Sequence, residues 1–167
     1  MRDPTIRVAY SVWPTFNERL RDAVTRLTDE QLALKPTPER WPLWATVGHL
    51  ACQRVSWLCG FAGEPGAEAT PFPDALYECP GDEYLDPPLS AAELGEALDS
   101  TFRIIEGVLD GWTVASLDEE IRQSWQEEIV HTRGWVVQRA FGHDVWHMAE
   151  LNEALARNGL PLIDPWS

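Results

Sequence analysis

Hydrophobic residues recur at helical spacing in four long segments, and period-two alternation is weak throughout. In the first segment, from about Thr5 to Leu27, Ile6, Trp13, Phe16, Leu20, Ala23, Val24 and Leu27 share one face. Pro14 interrupts it and predicts a kink or a fresh start there. Thr28-Asp29-Glu30-Gln31 has the pattern of a capping box and predicts a short helix that ends by Lys35-Pro36. The second long helix is expected from Pro42 or Leu43 to Gly63. Leu43, Val47, Leu50, Ala51, Leu58 and Phe61 lie on one side, and Ala45, His49, Cys52, Ser56 and Gly60 on the other. With only Gln53 and Arg54 strongly polar, this helix is expected to be packed on both sides.

Residues 63–89 are rich in proline and glycine and predict a long loop, either a functional lid or a surface excursion. Ser90-Ala91-Ala92-Glu93 is a second capping box. The helix behind it carries Leu94, Leu98, Ile105, Leu109 and Trp112 on one face and ends near Gly111. Trp125 to Val130 reads as a short strand or an extended link. The last helix runs from an N-cap at Thr132 to Asn158-Gly159, with Pro161 beyond it. Four long helices and one short one predict an all-α four-helix bundle, and 167 residues suit one domain over 1–167.

Thirteen basic residues against twenty-seven acidic ones give a net charge of −14. Nucleic-acid binding needs Lys and Arg to displace phosphate counterions, so no nucleic-acid partner is expected, and the same charge opposes an anionic membrane face. No apolar run is long enough for a membrane span, and the start lacks the basic and apolar regions of a signal peptide. Cys52 and Cys59 stand two helical turns apart, too far for a disulfide. The three cysteines therefore read as reduced thiols in a cytoplasmic compartment, and without a CxxC they make no zinc site.

The candidate chemistry lies in the histidines. His143 and His147, at i and i+4, can direct both imidazoles at one ion from the border between core and solvent. His49 sits among small residues on a mostly buried helix, where a polar ring needs a partner. If the two helices are neighbours, three neutral imidazoles converge. Such a set suits zinc, nickel or iron(II) and leaves coordination positions open for water or substrate. His131, three turns from His143, reads as structural or exposed. Glu150 follows His147 by one turn and is a candidate base or orienting group, or else a solvated surface charge. Asp144 is a candidate outer partner for an imidazole N–H, or else a surface ion pair. Gln53 is placed beside the site, and Trp44, Trp57 and Trp146 are candidate pocket walls or core.

Trp41-Pro42-Leu43-Trp44-Ala45-Thr46-Val47-Gly48-His49-Leu50, taken with Gly142-His143-Asp144-Val145-Trp146-His147-Met148-Ala149-Glu150-Leu151, resembles the DinB-like (damage-inducible, YfiT-type) superfamily. The short helix with Leu32 and Pro36 and the ending Arg157-Asn158-Gly159-Leu160-Pro161 also resemble it. The resemblance implies an up-down-down-up bundle, a divalent metal held by His49, His143 and His147, and a homodimer. It also implies a metal-dependent transferase working with a low-molecular-weight thiol such as mycothiol or bacillithiol. Two functions remain open. One is an enzyme that activates a thiol or water for transfer to, or hydrolysis of, a small molecule. The other is a non-catalytic stress-response bundle that sequesters a small molecule. A bundle of three satisfied histidines with no metal is a third, plainer reading.

Overall fold

The computed structural model describes residues 3–74, 78–122 and 130–166. The first predicted helix divides at its proline. A 3-10 turn at Ile6–Val8 precedes α1, Trp13–Val24, which carries Pro14 in its first turn, where a missing N–H leaves no bond unmade. The capping box at Thr28 is formed with Gln31 and opens α2, Asp29–Leu32. Helix α3, Leu43–Val55, starts directly after Pro42 and continues as a π-helical segment, Ser56–Phe61. Ser90 and Glu93 close the second capping box at the start of α4, Ala91–Gly111. Helix α5, Arg133–Arg157, begins where the Thr132 hydroxyl accepts a bond from the Trp135 N–H at 3.1 Å.

The weak strand signal conceals a small antiparallel hairpin. Strand β1, Glu120–Arg122, pairs with β2, Val130–Thr132, in the register Ile121 to His131. Of the predicted strand or link, Trp125 to Glu128 and Ile129 lie outside the described residues, and Val130 opens β2.

Helix directions follow from cross-helix partners. Arg21 of α1 bonds Asp99 of α4, and the Arg7 side chain, ahead of α1, reaches Asp110 near the far end of α4, so these helices run antiparallel. Gly48 lies against Leu89 and Arg54 against Leu98 and Thr101, so α3 and α4 run parallel. His49 meets His147 while Trp57 meets Trp135, so α5 runs against α3. The order is up, down, down, up. The core between the helices is built from Trp13, Phe16 and Leu20 of α1, Val47 and Leu50 of α3, Leu98 and Ile105 of α4, and Val136 and Leu151 of α5. Every residue of α3 from Leu43 to Cys52 is buried, as its two-sided pattern predicts.

Two expectations are corrected. Cys52 is bonded to Cys79, a partner 27 residues away in the long loop, so the reading of three reduced thiols fails for this pair and Cys59 is the free cysteine. The argument for a reducing compartment loses its premise with it. At Cys79 this bond ties the long loop to the C-terminal part of α3. Among the described residues no helix is long and apolar enough to cross a membrane.

Candidate metal centre

Antiparallel packing of α3 on α5 brings His49 to the His143–His147 pair. One ring nitrogen from each of the three lies within 4.8 Å of the others, and Nε2 of His143 stands 3.1 Å from Nε2 of His147. The rings are only 5 to 7 % exposed.

The outward nitrogens of two rings are occupied. Nδ1 of His147 donates to the Glu150 carboxylate at 2.7 Å, and that carboxylate also accepts from Arg40 at 3.1 Å. Nδ1 of His49 donates to the Pro80 carbonyl at 3.2 Å, with an Asp82 carboxylate oxygen at 3.4 Å. A proton held on Nδ1 leaves the Nε2 lone pair facing the centre, the tautomer a metal ligand requires. Burial pushes all three imidazoles below their ordinary value, and for His143 the neighbouring His147 and His49 push further, to about 2. At neutral pH the set is therefore uncharged, with one nitrogen of each ring close to the others. That donor chemistry fits a divalent transition ion.

The sequence pattern of the DinB superfamily matches residues 15–151, which include all three histidines. The chain belongs to this superfamily. A solved structure of a DinB-like protein from Bacillus cereus ATCC 10987 shares its fold at a TM-score of 0.69 and 16 % identity, covering 96 % of this chain and 97 % of that one. No curated protein matches the chain.

Within this DinB bundle the remaining candidates separate. Glu150 is the carboxylate on His147, half-buried and shared with Arg40, and is not a solvated surface charge. Asp144 is fully buried. Its carboxylate accepts from Arg54 Nη2 at 2.8 Å and from the Trp13 indole N–H at 2.8 Å, so it is neither a surface ion pair nor hydrogen-bonded to an imidazole. Gln53 donates to Cys79 Sγ at 3.6 Å, beside the disulfide. Trp44 is core, Trp57 is half-buried under Arg139, and Trp146 is 66 % exposed. Trp146, Trp41, Thr46, Glu150 and His147 line a cleft of about 350 Å³, which gives the centre an opening toward solvent. A larger groove of about 510 Å³, between α1 and the C-terminal tail, touches none of the three histidines. His131 stacks on Trp135 at 3.7 Å, away from the centre, as its spacing predicts.

Sequence reasoning missed four contributors. Trp41, read only as part of a motif, stacks over His147 at 6.4 Å and packs on His49 at 4.9 Å. Pro80 and Asp82 reach His49 from a loop whose path no periodicity reveals. Arg54 did carry a signal. A guanidinium on a helix buried on both sides requires a buried partner, and Asp144 on α5 supplies it.

Proposed function

We propose that this chain is a metal-dependent enzyme in which His49, His143 and His147 hold one divalent transition ion, zinc, nickel or iron(II), and a small-molecule substrate enters by the Trp41–Trp146 cleft. The reading is carried by one observation: three buried imidazoles bring one ring nitrogen each within 4.8 Å of the others while Glu150 and Pro80 occupy the outward nitrogens of two of them. When bound, the ion supplies Lewis acidity, which makes a thiol or water nucleophilic near neutral pH.

The chain's own residues do the rest. Glu150 keeps the proton of His147 on Nδ1, and Arg40 keeps the Glu150 carboxylate in place. Trp41 and Trp146 offer apolar walls against which a substrate's body can lie and exclude water near His147. Thiol transfer is the favoured chemistry and hydrolysis the alternative; a homodimer completes the reading.

The test is a screen of low-molecular-weight thiols against electrophiles, following loss of free thiol with metal-reconstituted protein. Turnover that is abolished in His147→Ala while helical content persists supports the enzyme. Ligand uptake that saturates at one equivalent without product contradicts it and identifies a sequestering protein.

A further inference from the structure

The segment 79–84 lies across His49 as a strap, and several independent features build it. Cys79 is bonded to Cys52, which follows His49 by three residues on α3. The next residue, Pro80, gives its carbonyl to His49 Nδ1 at 3.2 Å, and Asp82 stands 3.4 Å from the same nitrogen. The strap closes on itself: Gly81 N–H donates to Tyr84 O at 2.8 Å, and Cys79 N–H donates to the Glu83 carboxylate at 2.7 Å.

Two glycines admit this close approach. A Cβ on Gly48, the residue before His49, would stand 2.9 Å from the Pro80 ring. Gly81 has φ +87°, and a Cβ there would meet the Trp41 ring at 2.9 Å, the ring that packs on His49 and His147. The sulfurs thus fix the backbone that orients a ligand, and both cysteines are buried, 0 % and 2 % exposed. A reductant reaches them only once the strap lifts from α3.

Resting on the metal-centre reading above, we propose that the Cys52–Cys79 bond is a redox-governed clamp on that centre. Closed, it holds the strap on His49 and favours binding of a divalent transition ion. Opened, it frees the Pro80 carbonyl from His49 and weakens binding. Opening is a two-electron step. A dithiol reductant attacks one sulfur and then resolves the mixed disulfide, so that Cys52 and Cys79 leave as thiols and the reductant leaves as its own disulfide. Cys79 and Pro80 are positioning residues here, acting on the ion through His49. Because binding free energies are linked, an ion that binds the closed form more tightly must protect the bond from reduction by the same factor.

Metal-free full-length protein is titrated with cobalt(II), and with zinc(II) against a chelating dye. Four forms are compared: oxidised protein, protein reduced with a phosphine and then freed of it under argon, Cys52→Ser/Cys79→Ser, and Gly48→Ala with the bond intact. Far-UV circular dichroism checks the fold of each. The expected result is one ion per chain in the oxidised protein and affinity at least about tenfold weaker in the other three, the usual scale for losing a partner of a ligand's outer nitrogen. Zinc is expected to slow reduction of the bond at a fixed phosphine concentration, read by alkylation and mass. If Cys52→Ser/Cys79→Ser loses helical content, Gly48→Ala decides, since it lifts the strap without touching sulfur. Equal affinity in oxidised, reduced and Gly48→Ala protein, with no protection by zinc, overturns the clamp and leaves the metal centre standing. Absence of binding in every form overturns both.

Discussion

Helices α3 and α5 share two buried polar clusters within a few residues of each other, and the clusters are opposites. Arg54 and Asp144 complete one another. Arg54 gives Nε and Nη2 to Asp144 and Nη1 to Asn17 at 2.7 Å, while Trp13 adds a further bond to the carboxylate. Charge and hydrogen-bonding capacity are met inside the protein, by residues of α1, α3, α4 and α5. The histidines meet as like groups, with His143 and His147 joined through an Nε2–Nε2 hydrogen bond of 3.1 Å. Three like groups face inward, and each is driven toward its neutral form by burial. A buried cluster of opposite charges closes on itself as a joint of the fold, whereas a cluster of three like donors offers its nitrogens as a set that could hold an ion. The adjacency of His143 and Asp144 shows how close the two can be, since neighbouring residues on α5 serve different clusters on different sides of the same helix.

The largest effect that would break this contrast is at the joint. Arg54→Ala or Asp144→Ala leaves a buried charge without its partner and should destabilise the protein by about 3–5 kcal/mol in denaturant unfolding. Arg54→Met/Asp144→Leu should recover much of that loss, because two apolar side chains replace two charges. Equal damage from the double variant would mean that the pair does more than neutralise itself.

Acid sharpens the contrast next. In metal-free protein each histidine has a folded pKa below its unfolded value of about 6.5. Between those values the unfolded chain binds more protons than the native one. The stability is therefore fully present above about pH 6.5 and falls as pH drops, by up to about 1.4 kcal/mol per pH unit for each ring. Chemical denaturation from pH 7 to 5 should show this slope, and His143→Ala should flatten it by one ring's share. A slope unchanged in that variant would contradict the burial argument.

A smaller effect belongs to the outer carboxylate. Glu150→Gln keeps the size but weakens the bond that fixes His147 Nδ1, so zinc affinity should fall about 10- to 100-fold with little change in melting temperature of the metal-free protein. Smallest of all is the exposed pair Arg157–Glu153 on α5, where Glu153→Ala should change stability by about 0.5 kcal/mol or less. It controls for a general effect of removing a carboxylate from that helix.

The same contrast explains what was legible in the sequence. The helices were, because periodicity and caps are local: Thr28, Ser90 and Thr132 all cap the helices their patterns predict. The meeting of His49 with His143 and His147 was legible conditionally, through spacing on two helices that had to be neighbours. Loop geometry was not. The separation of Cys52 from Cys59 was sound as a distance argument, but a third cysteine in an aperiodic loop found Cys52 through a fold that local patterns do not encode. Trp146, a candidate for pocket wall or core by its residue type, is 66 % exposed and lines the cleft beside His147.

The most direct test of the central claim is elemental analysis of untagged protein beside His143→Ala/His147→Ala. The account predicts about one transition metal per chain in the native protein, and none in the variant, with helical content retained. A native protein that holds no metal, even after reconstitution with zinc, nickel, manganese and iron(II), would contradict it and return the three histidines to the fold.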